Sequence, residues 1–257
     1  MSEVVYFITE GATEREVGLV LHKRHLLKGA KPKSGLARIS REGYEQVVKA
    51  IRDQNVLQAL EGAPGLGLLL IFDQDQADSP RDRANKLGKD LGLSFNSFID
   101  CEHDNVFWAT SKNGLKIVLH VSNVAADGIK NCDFDGYILQ LLQGPHKEAI
   151  AERIVPGDHD HKELLRKAEK EITKLMRDNG FFWHRNKSWL YAYITAFQFR
   201  KSHVWFSAEV VQHAPESELK RVFSSLIDAW DLLIRWETLL RLSSCLCLVL
   251  SLMLGIG

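Results

Sequence analysis

Glu10, Asp73 and Asp75 are the residues in this chain best suited to chemistry, because each follows directly on a short apolar run. Residues 4–9 (VVYFIT) run into Glu10, and residues 66–72 (LGLLLIF) run into Asp73-Gln74-Asp75. Runs of this length and composition suit strands buried on both faces of a parallel sheet. Three carboxylates at neighbouring strand ends repel one another unless a cation lies between them. Oxygen-only donors suit Mg²⁺ or Mn²⁺ and not zinc. The carboxyl ends of parallel strands are also where open α/β sheets bind ligands.

The elements that must position these acids follow from the pattern around them. After a turn at Glu10-Gly11, Thr13 stands where an N-cap would, Glu14 and Glu16 fill the first helical turn, and Val17, Val20, Leu21 and Leu27 form a loose helical stripe. A possible short strand at residues 36–40 and a helix over residues 44–60 come next, the helix closed by Gly62 and Pro64. Ser79-Pro80 opens another helix through Leu91, with Ser as cap and Pro in the first turn. Residues 97–101 and 115–121 read as further strands. This alternation predicts an α/β sheet with right-handed crossovers over residues 1–125.

Residues 126–241 change character. Residues 134–142, 146–154, 162–179, 189–206 and 218–236 have mainly helical spacing. Phe181, Phe182, Trp183, Trp189, Tyr191, Tyr193, Phe197 and Phe199 are spaced as buried faces, so core packing is preferred to base stacking. Residues 242–257 (LSSCLCLVLSLMLGIG) form an uncharged tail. A membrane anchor, a buried or oligomer-forming helix, and a non-native tail from a shifted reading frame fit it equally.

Composition narrows the classes. The 257 residues allow one large domain or a core domain with a smaller second one, and the 45% hydrophobic and 26% charged fractions are ordinary for a globular chain. Lys+Arg 33 offsets Asp+Glu 33, so net charge does not point to a polyanion. Its distribution does: no acidic residue lies between Glu16 and Glu42, while Lys23, Arg24, Lys28, Lys31, Lys33, Arg38 and Arg41 fill the interval. A solvated face explains such a run by itself; its place behind the acidic turn favours contact with a phosphate backbone. The four cysteines form no CxxC pair and the N-terminus has no signal-peptide pattern, so a reduced, cytoplasmic setting is expected. No glycine cluster is followed by GK[ST], which excludes a P-loop ATPase in this chain.

The Glu10-Gly11 turn and the Asp73-x-Asp75 pair, in that order and separated by about two helices, resemble the TOPRIM domain shared by topoisomerases, bacterial primases and the OLD-type nucleases. The form EGATE at residues 10–14 is similar to the EGxTE or EGxSE variant of the OLD-like nuclease branch. The resemblance implies a Rossmannoid parallel sheet flanked by helices, followed here by a mainly helical C-terminal region. It also implies Mg²⁺-dependent phosphodiester chemistry, in which metal ions polarise the scissile phosphate, stabilise the leaving oxygen and supply an activated water. Carried onto this chain, it assigns Glu10, Asp73 and Asp75 to one metal and Glu14 with Asp78 to a second. A late lysine that meets developing charge is Lys187, with Lys112 and Lys116 as rivals. Neither the nucleophilic tyrosine domain of topoisomerases nor the zinc module of primases is visible. That leaves a nuclease component, with a setting in bacterial or phage defence implied by family analogy, DNA as the expected nucleic acid, and a homo-oligomer or partner ATPase as possible company. The alternative is a non-catalytic metal- or nucleotide-binding module that acts through a partner protein.

Two weaker constellations have simpler readings. Asp158-His159-Asp160-His161 could bind a transition metal but is better explained as a polar loop capping the next helix. His103-Asp104 matches half of an HD phosphohydrolase signature without its partners.

Overall fold

The computed structural model describes residues 3–35, 43–98, 101–126, 129–180 and 185–235. Strand β1 (Val4–Thr9) leads into α1 (Ala12–Lys23), β2 (Lys31–Ser34), α2 (Tyr44–Asp53), α3 (Val56–Glu61), β3 (Gly67–Asp73) and α4 (Pro80–Leu91). Short β4 (Asn96–Ser97) and a hairpin of β5 (Val106–Thr110) and β6 (Lys116–Ser122) complete one six-stranded sheet of order β2-β1-β3-β6-β5-β4. The strands β2, β1, β3 and β6 are parallel, whereas β5 is antiparallel to both β6 and β4. The sheet is therefore mixed, not wholly parallel as expected. The cause is the 111–115 turn, with Gly114 at φ +90° and Ser111 N donating to Leu115 O, which folds β6 back along β5.

Alternation along the central strands splits the core into two layers. Val5, Phe7, Leu69, Ile71 and Val118 face α1 and the C-terminal helices, while Tyr6, Ile8, Leu68, Leu70, Phe72 and Leu119 face α2, α3 and α4. All of these are buried, as expected for strands covered on both faces.

The second half is α5 (Asp135–Gln143), α6 (Lys147–Ile154), α7 (His161–Arg166), a π-helical turn (Lys167–Ile172), α8 (Thr173–Asp178), α9 (Asn186–Ala196), α10 (His203–His213) and α11 (Glu216–Val222), with helix again at 224–235. Its apolar faces share one cluster with β1, β3 and α1, so these helices form a layer on one side of the sheet. Trp230, fully buried, donates its indole N–H to Lys28 O at 2.6 Å, and buried His120 of β6 lies 2.9 Å from Ser225 Oγ. Burial drops the His120 pKa to about 3, so the imidazole stays neutral.

Several boundaries differ from expectation for local reasons. Gly11, not Thr13, is the N-cap of α1. The helix expected over 44–60 breaks at Asn55 and the one over 189–206 at Gln198, each in the left-handed region, at φ 47° and 51°. Ser79 does cap α4, accepting from Asp82 N at 3.1 Å, with Pro80 in the first turn. Asp160 caps α7 through Glu163 N at 3.0 Å, which accounts for the Asp-His-Asp-His loop. Most of the described aromatics of the helical half pack in the core or against it, but Tyr191 and Trp205 are about half exposed. No described helix is long and apolar enough to cross a membrane. The strand expected at 36–40, Arg38, Arg41, Phe181, Phe182, Trp183 and the 242–257 tail lie outside the described residues.

The start of α5 packs so closely on the loop after β6 that a Cβ at Gly136 would sit 2.1 Å from Val124 O. Gly136→Ala should therefore destabilise the fold by about 1–3 kcal/mol, read as a lower urea midpoint at unchanged slope.

Candidate functional site

The crossovers place the acids together. From β1 the chain moves through α1 to β2 on one side, then returns past β1 to β3 on the other, so the strand order reverses between β1 and β3. Thr9 pairs with Ile71 and Asp73 with Ser122, so Glu10 and Asp73 leave the sheet at one edge. The Asp73 N–H donates to Glu10 Oε2 at 3.1 Å. Asp75 follows in the left-handed region at φ 53°, its N–H donating to Cys132 O at 2.9 Å. Glu14, one turn into α1, is 4% exposed and lies over Gly11, where a Cβ would come within 2.8 Å of its Oε2. The glycine after Glu10 thus leaves room for the second glutamate.

Two further acids arrive where α5 begins, Asp133 just before the helix and Asp135 as its first residue. The Phe134 N–H donates to Asp73 Oδ1 at 2.9 Å and the Gly136 N–H to Asp133 Oδ1 at 3.1 Å, so two carboxylates meet the start of α5, where helix N–H groups favour negative charge. Asp133 Oδ1 also accepts from Asn186 Nδ2 at 2.8 Å. Asn186 is fully buried at the start of α9; its amide further donates to Val124 O and Asn131 O and accepts from Ala126 N. These bonds bring the flanking Arg185 and Lys187 to the site. A cleft of about 240 Å³ results, lined by Glu10, Glu14, Asp73, Asp75, Asp133 and Asp135 together with Arg185, Lys187 and His203.

Crowding shows in the acidities. Burial, then the carboxylates of Glu14, Glu10, Asp133 and Asp75, push Asp73 well above the usual range. Burial raises Glu10 against the pull of the Arg83 guanidinium. Burial and then Asp135 raise Asp133 to about 7, and burial raises Asp135 to about 6 against Lys187. Arg83, from α4, donates through Nη2 to Glu10 Oε2 at 3.0 Å and to Asp75 Oδ2 at 2.9 Å.

Some expected site residues are elsewhere. Asp78 is exposed and does not line the cleft; the turn held by Gln74 Nε2 and Ala77 O at 2.8 Å precedes it, and Asp133 and Asp135 line the cleft instead. Lys187 lines the cleft, whereas Lys116 begins β6 at the far edge of the sheet and Lys112 sits in the turn before it. The described basic set does not line the cleft either. Helix α1 starts at the acids and carries Lys23 about 18 Å away, and Lys31 pairs with Val4 at the opposite edge. Arg24 donates to Val211 O, Gln212 O and Ala214 O at the end of α10, and Lys28 and Lys33 are exposed, Lys33 lying 5.6 Å from the Tyr6 ring centre. His103 pairs with Asp228 at 3.1 Å.

An all-carboxylate donor set fits a hard divalent cation in chemistry. Among the described residues no group of three or more His, Cys, Asp or Glu is arranged to hold one, and Arg83 lies between Glu10 and Asp75. Asp133 and Asp135 are the functional candidates that sequence reasoning missed, and their signal was a second D-x-D, Asp133-Phe134-Asp135. Arg83 and Asn186 had no such signal.

Asp133 binds its proton more tightly folded than unfolded, where its pKa is about 3.9. Its contribution is fully present below that value and is lost as pH rises through about 7. Asp133→Asn keeps the acceptor for Asn186 and Gly136, so in EDTA its Tm should fall less than wild type across that window and exceed it most near about pH 8. Asn186→Ala should cost about 2–4 kcal/mol, since it strands several buried partners.

No protein-family model and no curated protein matches this sequence. Among solved structures it is similar to the crystal structure of a hypothetical protein, PH0156 from Pyrococcus horikoshii OT3, with TM-score 0.55 and 14% identity over 91% of this chain and 98% of that chain. At that identity the likeness is one of fold alone, and it spans both the sheet and the helical half.

Proposed function

We propose that this chain is a TOPRIM-type nuclease, a Mg²⁺- or Mn²⁺-dependent enzyme that cleaves phosphodiester bonds in nucleic acid, with DNA as substrate. The observation that carries this reading is the convergence of Glu10, Asp73 and Asp75 with Glu14, Asp133 and Asp135 in one cleft at the β1/β3 switch point. So many acids at one edge, several raised by burial and by one another, are costly for a purely structural role and useful for binding a cation.

Glu10, Asp73 and Asp75 would hold the cation, and Glu14 with Asp133 and Asp135 form the adjoining acidic wall. When bound, a divalent cation supplies Lewis-acid polarisation of the scissile phosphate and neutralises charge that develops there. The chain's own groups provide the remainder. Lys187, held by Asn186 and close enough to Asp135 to pull on its acidity, supplies a fixed positive charge for a phosphate oxygen. Arg185 supplies a second at the cleft wall. Asp73 is kept in place by its bond from Phe134 N, so its orientation does not depend on the ligand.

Purified protein incubated with plasmid and single-stranded DNA should cleave only with Mg²⁺ or Mn²⁺. Glu10→Gln and Asp73→Asn should each lower the rate by at least about a hundredfold, the scale of losing one transition-state electrostatic contact, while folding is retained by circular dichroism. Undiminished cleavage by both variants would overturn the site. A second reading, a non-catalytic cation- or nucleotide-binding module, is favoured by one observation: Arg83 already pairs with both Glu10 and Asp75. It predicts cation-dependent stabilisation without turnover on any nucleic acid.

A further inference from the structure

We propose that Arg83 is a positioning residue that stands in the cation's place between Glu10 and Asp75, and that a divalent cation loads by exchange with its guanidinium. This rests on the cation-binding reading of the cleft. The Arg83 side chain is 7% exposed, and Nη2 bonds both carboxylates at 3.0 and 2.9 Å. Its Nε is buried without a partner. A buried guanidinium normally satisfies its whole donor fork, so this one sits where the acids need charge and not where its own donors are best served. The ring of Tyr44 lies 4.1 Å from the guanidinium carbon and supports the group from one face.

Arginine suits the role because its charge is permanent and its geometry fixed. It offsets part of the charge of Glu10 and Asp75 when no other cation is present. Glu10 Oε2 is already shared between Asp73 N and Arg83, so little acceptor capacity is left on that oxygen while Arg83 remains. A divalent ion bound by the same two carboxylates would also face the guanidinium charge at close range. One pair must open, and the two acids differ in which can move. The Glu10 side chain is 9% exposed, whereas that of Asp75 is 44% exposed and follows a left-handed backbone turn. The Asp75–Arg83 bond is therefore the one that opens first, Glu10 being released as the cation takes the guanidinium's place, and Arg83 lowers the affinity of the site for the cation it precedes.

The test is Mn²⁺ binding to the full chain without nucleic acid, followed by electron paramagnetic resonance. Arg83→Met keeps an apolar stem against Tyr44 and removes the charge; it should bind Mn²⁺ about tenfold or more tightly than wild type, the scale of one charge-assisted hydrogen bond. Arg83→Lys keeps a charge and should stay within about threefold of wild type on the same scale. A merely structural arginine gives the opposite result, because its loss loosens the site and weakens Mn²⁺. In EDTA the Arg83→Met protein should melt lower than wild type and show a larger rise in Tm on saturation with Mn²⁺. If that variant does not fold, the Arg83 Nε–H resonance of wild type, assigned with Arg83→Lys, gives the answer: it shifts as Mg²⁺ saturates the site, and an unmoved resonance overturns the exchange. Equal Mn²⁺ affinity in wild type and Arg83→Met overturns the exchange alone. No Mn²⁺ binding by either overturns the cation reading with it.

Discussion

Repulsion among carboxylates at one sheet edge is the constraint on which the arrangement of this protein turns. Glu10 and Asp73 are brought together by strand register, and neither can be moved away without breaking the pairing of β1 with β3 or of β3 with β6. The fold answers with fixed donors. Asp73 N serves Glu10, Phe134 N serves Asp73, Gly136 N serves Asp133, and Arg83 bridges Glu10 and Asp75. Burial, and at Asp73 and Asp133 also the repulsion these donors leave uncompensated, makes carboxyl groups hold their protons above the ordinary range.

Those donors explain why the helical half is needed at the site. Asp133 and Asp135 open α5, and Asn186 ties the start of α9 to the segment between β6 and α5 through four bonds. A fully buried amide with its donors and acceptor satisfied is a rigid joint, because any displacement leaves a polar group unpaired. The apolar cluster shared by α1, β1, β3 and the C-terminal helices supports that joint from beneath. The cleft is therefore built between the sheet edge and the helical layer, and neither contributes all of its walls.

Strands β1 and β3 and the Glu10, Asp73, Asp75 acids were legible because they depend on local signals: apolar runs of strand length that end in a carboxylate; β2, the polar Lys31–Ser34, carries no such signal. The Ser79 cap was legible for the same reason. Strand β5 was not, since VFWAT between polar turns has no alternation to separate it from a loop, and its pairing with β6 is a tertiary fact. Asp78 is near Asp75 in sequence, but three residues past that left-handed position it is exposed and outside the cleft. Arg24 shows the same limit. Its charge is plain in the sequence, whereas its use at the end of α10 depends on contacts 187 to 190 residues away.

The position of the basic segment also bears on how a polyanion could reach the cleft. Under the nuclease reading, a phosphate backbone must approach six carboxylates that Arg185, Lys187 and Arg83 offset only in part. Lys23, about 18 Å along α1, and Lys31 at the opposite edge lie well beyond a Debye length of about 8 Å in physiological salt. They cannot neutralise the cleft from there. The charge that makes the site attractive to phosphate has to come from within it, either from a cation bound to the acids or from protons on them. Protons disappear as pH rises through the raised range of Asp135 and Asp133, at about 6 and about 7. Burial holds the Asp73 carboxyl well above its usual range as well, so protons leave the cleft in stages, and a bound cation takes over from them as added positive charge. On the nuclease reading, a loaded cation therefore favours engagement of nucleic acid, and the two should show positive linkage in binding.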